Sequence, residues 1–432
     1  MDAASFPFIE LARLILRLYP LVLFHPTYML LFAAVMAIII AQFRRSEAEE
    51  RRLFGVVRTP AGPQALYAAA QGLLGGFIGS FLMVGIGVSL SESGISYVWL
   101  LALFLLSINP RFICFSYAGG IISLVSLITG WPRLSIPGLL ALVAILHITE
   151  SLLIISSGHM GAIPMYIDHQ AEGRPVGAFN LRRFWPVPIA ALKLTQLAEL
   201  GPGYTTVAMP GWWPLIKFAA EPAPGKLLVP EVFLVVAALG YADIAVARGP
   251  RAKTVRTAGL LMAFSLILLG LSVAASRLPA FMWLAALFAP LGHEAVIYLG
   301  VNSEVGRPPV FKQPPAGVMV MATMAGGAAH RLGLKAGDIV TAVNGQPVGA
   351  RADMSVAMAA AGTRLKVAYR RDGEARRAET CIGPEEAQGG ILGILPAPAP
   401  GDESHGELRT RVVLGAFWER VWKWLKGRFG GY

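Results

Sequence analysis

The stretch Gly317–Val348, GVMVMATMAGGAAHRLGLKAGDIVTAVNGQPV, decides the fold of the C-terminal part of the chain. It begins with an apolar run typical of a strand, and a turn of small residues follows. Gly337-Asp338 predicts a turn into a second, buried strand, and Asn344-Gly345 is a strong signal for a type I′ hairpin. The stretch therefore predicts a small α+β domain with short antiparallel strands.

The order of these features resembles the PDZ domain of the bacterial kind, above all the pattern A-x-x-x-G-L-x-x-G-D-x-I, which here runs from Ala329 to Val340. The resemblance implies capture of an extended peptide, often a chain's C-terminus, as an added strand at the sheet edge. The loop that holds the carboxylate reads apolar-Gly-apolar in such domains. Here Gly390–Ile394 fits that loop and lies after the domain core, an order that is similar to the PDZ domains of intramembrane proteases.

The segment Ala350–Gly362 is predicted to form the helix that lines the peptide groove, with methionine side chains in an adaptable apolar wall. The residues expected to contact a peptide are Ile391, Leu392, Gly393, Ile394, Met354, Met358 and Ala361. The alternative is a groove that is closed or filled by the chain's own linker, since Pro396 and Pro398 follow the loop directly.

Of the 432 residues, 55% are hydrophobic and only 15% are charged. A soluble chain of this length cannot bury so much apolar surface, whereas a bilayer accepts it. We therefore predict a polytopic α-helical membrane bundle of about 7–9 spans before the C-terminal domain. The apolar runs cover residues 21–43, 67–90, 97–109, 112–130, 136–157, 229–247, 257–275 and 279–300. Residues 158–228 are expected to be re-entrant or interfacial.

Changes in composition divide the chain into segments. These are an amphipathic N-terminal segment (1–20), a transmembrane domain (21–303), a Pro-rich linker (304–316), the PDZ-like domain (317–397), a Pro/Gly linker (398–408) and an amphipathic helix (409–430). That last helix has aromatic residues on one face and basic residues on the other, which is typical of a helix on a membrane surface. The residues concerned are Trp418, Trp422, Trp424, Lys423 and Lys426. Packing on its own domain is the alternative.

Two arginine-rich loops, 44–58 and 248–256, indicate the orientation, because such loops stay in the cytoplasm. The C-terminal domain is then cytoplasmic, and the net charge of +11 favours anionic lipid rather than nucleic acid as a partner. Four predicted spans and the one at 229–247 separate the loops. This odd number means that one assignment is wrong, either the pair within 97–130 or the stretch 158–228.

The segment GHEAVIYLG, Gly292–Gly300, contains a His-Glu pair and invites comparison with membrane zinc proteases. Such an enzyme needs His-Glu-x-x-His for two metal ligands and a general base. Ile297 occupies the second histidine position, and Asn109-Pro110 is followed by Arg111 rather than by an acidic ligand. No serine-peptidase elbow is present either. We therefore expect no enzyme activity, no metal and no cofactor.

Polar residues within the apolar runs are costly and often functional. The candidates are His147, Glu150, Glu231, Asp243, His293 and Glu294. They are expected either to form hydrogen bonds between helices or to line a proton, metal or ligand site. A glycine series from Gly72 to Gly79 predicts tight helix packing or a homodimer. Cys114 and Cys381 are not expected to pair.

The domain order of the whole chain resembles that of MinJ-type proteins of Gram-positive bacteria, polytopic membrane proteins with a C-terminal cytoplasmic PDZ domain. The resemblance implies a scaffold in cell-division site selection at septum and poles, which links a DivIVA-like coiled-coil protein to the MinD-like membrane ATPase. No catalytic step is implied. Two alternatives are a transporter or channel-like protein that uses the intramembrane polar residues, and a regulatory partner of a membrane protease.

Overall fold

The computed structural model describes residues 5–54, 57–169, 172–200, 204–220, 224, 226–324, 326–383 and 392–404. The helices before the C-terminal domain are α1 (Phe8–Leu18), α2 (Leu21–Phe24), α3 (Pro26–Phe54), α4 (Ala61–Ile86), α5 (Ile95–Ile108), α6 (Phe115–Thr129), α7 (Ile136–Ser157), α8 (Pro250–Ala275) and α9 (Ala280–Val305). The predicted surface helix at 409–430, with its Trp and Lys residues, lies outside the described residues.

In the part of the chain that the structure describes, five helices are long and apolar enough to cross a membrane: α3, α4, α7, α8 and α9. Helices α5 and α6 are apolar but shorter, and a 3₁₀ turn at Pro110–Ile113 separates them. The N-terminal helix α1 buries Leu11 and Ile15 against residues of α4 and of the neighbouring sheet. Several long apolar helices are thus present, which is compatible with a membrane protein, and the predicted count of 7–9 spans is not confirmed within the described residues.

The prediction of a span at 229–247 is wrong, because these residues form a β-strand. The antiparallel sheet of the N-terminal part has the order β1 (Ile163–His169), β2 (Arg174–Gln196) and β3 (Leu228–Ala245). The β2–β3 ladder is continuous from Gln196↔Leu228 to Phe179↔Ala245. Val-rich runs favour the strand, and the prolines of β2 disfavour a helix in its pairing partner. Without this span, an even number of apolar helices, α4 to α7, separates the two basic loops.

Strand β2 runs through the bundle beside α4 and is buried for most of its length. An unpaired strand edge in an apolar interior would leave backbone N–H and C=O groups without hydrogen-bond partners, which costs free energy. Pro186 and Pro188 carry no N–H, and the Pro188 carbonyl accepts a hydrogen bond from Tyr19 Oη at 3.0 Å. The Ala190 N–H donates to Ser80 Oγ at 2.7 Å. The WPVPIA sequence therefore suits a strand that packs edge-on against a helix.

The glycines of α4 allow this close approach. A Cβ added at Gly72 would lie 2.0 Å from the Pro186 carbonyl oxygen, and one added at Gly76 would lie 2.2 Å from that of Pro188. Gly75 and Gly79 face Leu153 and Thr149 of α7 in the same way. The glycine series therefore packs within the chain, on β2 and α7.

Charged residues collect at one end of the bundle. Arg182 of β2 pairs with Glu49 at the end of α3 at 3.8 Å, and Arg248 before α8 pairs with Glu304 at the end of α9 at 2.6 Å. Both predicted basic loops are thus near the point where α9 leads into the C-terminal domain.

The C-terminal domain contains β4 (Val318–Thr323), α10 (Ala328–Arg331), β5 (Ile339–Val343), β6 (Gln346–Pro347), α11 (Arg351–Ala359), β7 (Arg364–Arg371), β8 (Glu374–Cys381) and β9 (Ile394–Pro396). Its strands are ordered β8-β7-β5-β4-β9, with β6 on β5. The turns at Gly337-Asp338 and Asn344-Gly345 are as predicted, and Asn344 and Gly345 both have positive φ. The domain packs on the hairpin β1–β2, where Met321 fills the space left by the missing side chain of Gly177.

Candidate functional site

The predicted peptide groove would lie between α11 and β9, and β9 is an edge strand of the C-terminal sheet. Among the described residues β9 pairs only with β4, so its other edge has no strand partner. The loop before it is held by backbone hydrogen bonds, from Ala329 N–H to the Leu392 carbonyl and from Met324 N–H to the Gly393 carbonyl, each 2.9 Å. Gly393 has φ +76°, a conformation that favours glycine. These bonds and this conformation fix the backbone of Leu392 and Gly393 directly before β9.

The predicted groove residues belong to one apolar cluster. Leu392, Ile394, Met354, Met358 and Ala361 are all buried, and Ala361 is the most exposed of them at 8%. Ile391 lies outside the described residues. These side chains therefore belong to the buried apolar core of the domain, to which α11 and β9 both contribute.

A latch of polar residues, Tyr166, Arg351 and Asp402, ties the groove to the hairpin. Tyr166 of β1 donates its hydroxyl proton to the carbonyl of Pro396 in β9, at 2.9 Å. Arg351, the first residue of α11, donates to Tyr166 Oη, to the Ala397 carbonyl and to Asp402, at 3.2, 2.9 and 2.8 Å. Burial raises the pKa of Tyr166, which keeps this hydroxyl a donor at neutral pH.

A second contact between the domain and the hairpin involves Glu172 in the β1–β2 turn. Its carboxylate accepts from Lys312 Nζ at 3.0 Å and from Arg174 at 3.4 Å. The hydrogen bond from Lys312 lowers the pKa of Glu172. The C-terminal domain is thus held by polar contacts on two sides of the packed Met321.

A second cluster lies within the helical bundle, where three helices meet. Cys114 Sγ is 3.1 Å from His147 Nε2 and 3.5 Å from His293 Nε2. The three ligand atoms all lie within 4.8 Å of one another. Two of the predicted polar residues are therefore brought together, and Glu150 follows His147 by one turn on α7.

Each member of this Cys/His cluster is positioned by its own helix. Cys114 caps α6, with Sγ accepting from the Ser116 N–H at 3.5 Å. His147 Nδ1 donates to the Val143 carbonyl at 2.8 Å, so Nε2 faces the sulfur. The rings of both histidines pack edge-on against Phe264 at 5.7 Å, and Gly292 leaves room for that ring.

The remaining carboxylates pair separately. Glu294 forms an ion pair with Arg111 and accepts from Tyr117 Oη at 2.5 Å. Glu231 pairs with Lys193 at 3.1 Å, and Asp243 pairs with Lys253 at 3.1 Å. These residues are partners in ion pairs that join neighbouring segments, and they do not extend the Cys/His cluster.

The sequence analysis missed Cys114 as a site residue. Its place directly after the Asn109-Pro110-Arg111 break was the available signal, because a helix that starts at such a break presents its capping side chain to neighbouring helices. Arg111 entered the predictions only as a residue that breaks the protease motif, and Glu294 as one of the intramembrane polar candidates, so their pairing was not predicted.

Comparison with known proteins concerns the C-terminal part of the chain. No curated protein matches the sequence. Residues 297–382 match the family model of the PDZ domain. This match spans β4 to β8 and the end of α9, and it agrees with the turns and strand order described above. The C-terminal part of the chain contains a PDZ domain, a protein-interaction module.

Proposed function

We propose that this protein is a non-catalytic membrane adaptor whose PDZ domain captures an extended segment or C-terminus of a partner protein. The observation that carries the proposal is the edge of β9, which begins at Ile394, directly after the loop Leu392-Gly393 and beside α11. A peptide added there would gain backbone hydrogen bonds from β9 and bury its last side chain against the apolar wall. The buried Met354 and Met358 favour an apolar last residue.

The experiment is a binding measurement on the full chain in detergent, with a library of peptides that have free or amidated C-termini. We expect peptides with an apolar last residue and a free carboxylate to bind. Gly393→Val should abolish binding, because Gly393 has φ +76° beside the groove. Gly373→Val is the matched control: Gly373 has φ +87° in the β7–β8 turn, at the opposite edge of the sheet. Equal binding by wild type and Gly393→Val would overturn the proposal.

We further propose that the PDZ domain is cytoplasmic. Support comes from the arginine-rich segments at 44–58 and 248–256, which were predicted as loops but belong mostly to the end of α3 and the start of α8. Both lie at the same end of the bundle as the end of α9. Anionic lipid would be attracted to this end. A green fluorescent protein fused to the C-terminus should then fluoresce in cells. A stable but dark fusion would contradict this orientation.

The finer role that we propose is a scaffold in cell-division site selection at septum and poles. The resemblance in domain order to MinJ-type proteins supports it, and it implies DivIVA-like and MinD-like partners. The same fluorescent fusion tests this role. Signal gathered at septa and poles is expected, whereas a uniform membrane outline would reject the division role and leave the adaptor role in place.

A further inference from the structure

We propose that Cys114, His147 and His293 bind a transition-metal ion of the zinc class inside the helical bundle. A thiolate and two imidazoles are ligands that zinc accepts, and no residue of the PDZ groove takes part. The proposal differs from the expectation of no metal, and it is independent of the adaptor function.

The distances fit a shared ion. On tetrahedral zinc, a thiolate sulfur and an imidazole nitrogen are about 3.6 Å apart, given the usual zinc–ligand bond lengths. The observed separations from Cys114 Sγ are 3.1 Å to His147 Nε2 and 3.5 Å to His293 Nε2. Only small side-chain shifts are needed to bring all three atoms to an ion between them.

The orientation of the ligands is also suitable. His147 donates its Nδ1 proton to the Val143 carbonyl, so in the neutral ring Nε2 carries the lone pair that faces the site. This is the arrangement by which proteins usually orient a metal-binding histidine. Cys114 caps the N-terminus of α6, where the helix dipole favours the negative charge of a thiolate. The sulfur and the Nε2 lone pair of His147 thus both face the position of the ion.

The charge balance of the site is also compatible with a bound ion. Zinc with one thiolate and two neutral imidazoles keeps one positive charge, which is costly among the rings of Phe264 and Tyr117. Glu150 follows His147 by one turn on α7, which puts a carboxyl group near the site that could offset this charge.

Three protein ligands leave a fourth coordination position. A hydrogen-bonded Cys–His–His network without metal would place the same side chains together, so the test must detect the ion itself. A bound ion would tie α6, α7 and α9 to one another, because each helix contributes one ligand.

The experiment uses the full chain purified in detergent. Metal content is measured by mass spectrometry, the protein is stripped with a chelator, and Co²⁺ is titrated as the spectroscopic probe for zinc. We expect a single ion per chain and a thiolate-to-cobalt charge-transfer band in the near ultraviolet. Cys114→Ser should lose the band, whereas the matched control Cys381→Ser, which changes the exposed cysteine of the PDZ domain, should keep it. His147→Gln and His293→Gln should lose stoichiometric binding.

Two measurements keep the result interpretable if a variant folds poorly. X-ray absorption on the wild-type protein should show one sulfur and two nitrogen ligands. Added Zn²⁺ should raise the unfolding temperature of wild type but not of Cys114→Ser. A wild-type protein that gives no charge-transfer band with Co²⁺, or a folded Cys114→Ser variant with the wild-type spectrum, would overturn the proposal.

Discussion

Arg111 and Glu294, 183 residues apart in the chain, form an ion pair in which one guanidinium nitrogen contacts both carboxylate oxygens. Glu294 is only 3% exposed, and it also accepts the hydroxyl proton of Tyr117. The pair links the turn before α6 to α9. It thereby helps to place His293, the residue before Glu294, opposite Cys114.

Removal of one partner of this pair should therefore destabilise the fold. We expect Glu294→Met to lower the free energy of unfolding by about 3 kcal/mol, because a guanidinium is left without its carboxylate. The double variant Arg111→Met, Glu294→Met should recover much of this loss. Thermal unfolding in detergent of the wild type, both single variants and the double variant gives the interaction free energy of the pair. The exposed pair Glu374–Arg376, at 3.0 Å, is the control and should contribute no more than about 0.5 kcal/mol.

Alanine at Gly72 or Gly76 should separate α4 from β2. The added Cβ would meet a backbone carbonyl oxygen at 2.0 or 2.2 Å, which a side-chain rotation cannot relieve. We expect either variant to lower the free energy of unfolding, measured with denaturant, by about 3 kcal/mol. Gly270→Ala in α8 is the control, since nothing lies within 4 Å of its added Cβ. That variant should be neutral or slightly more stable, and equal losses at both sites would argue against the packing described.

Loss of the Tyr166 hydroxyl should open the peptide groove. Tyr166→Phe removes the hydrogen bond to the Pro396 carbonyl and the acceptor for Arg351. A peptide competes with these contacts for β9, so we expect its affinity to rise roughly 2- to 10-fold, the equivalent of one hydrogen bond. Tyr204→Phe, at a residue that is 54% exposed, serves as control. An unchanged affinity in Tyr166→Phe would show that the latch does not compete with the peptide.

Asp338 should be important for the stability of the PDZ domain. Its buried carboxylate accepts from Arg371 at 2.8 and 2.6 Å and from the Lys335 N–H at 2.8 Å. Asp338→Asn removes the negative charge and places an amide NH₂, which cannot accept a hydrogen bond, opposite some of these donors. This should lower the free energy of unfolding of the domain by about 2 kcal/mol. Hydrogen exchange at β5 and β7 in the full chain reports this loss. Glu379→Gln, in an exposed pair with Lys366, should leave exchange unchanged.

Much of the PDZ domain was predictable because its signals are local. Gly337-Asp338 and Asn344-Gly345 require particular backbone conformations, and these hold wherever the domain lies in the molecule. The long apolar helices were predictable for a similar reason, since length and composition suffice to identify them.

The hairpin β2–β3 was not predictable from apolar content, because a buried strand and a membrane helix are both continuous apolar runs. Pro186 and Pro188 argued against a helix, but only the structure shows that they lie on a strand edge that faces Gly72 and Gly76. The odd number of spans between the basic segments signalled an error, but the prediction placed it within 97–130 or 158–228, whereas the wrong span was the one at 229–247.

The sequence by itself determined which local elements can form: turns that need glycine or asparagine, apolar helices, and a loop with glycine at position 393. Only the tertiary structure decided which distant residues meet. Cys114, His147 and His293 lie on three helices, and their convergence depends on the packing of α6, α7 and α9. The physical reason is that contacts between side chains of different helices depend on the angle at which the helices cross and on their position along each other. No local pattern of residues encodes these quantities.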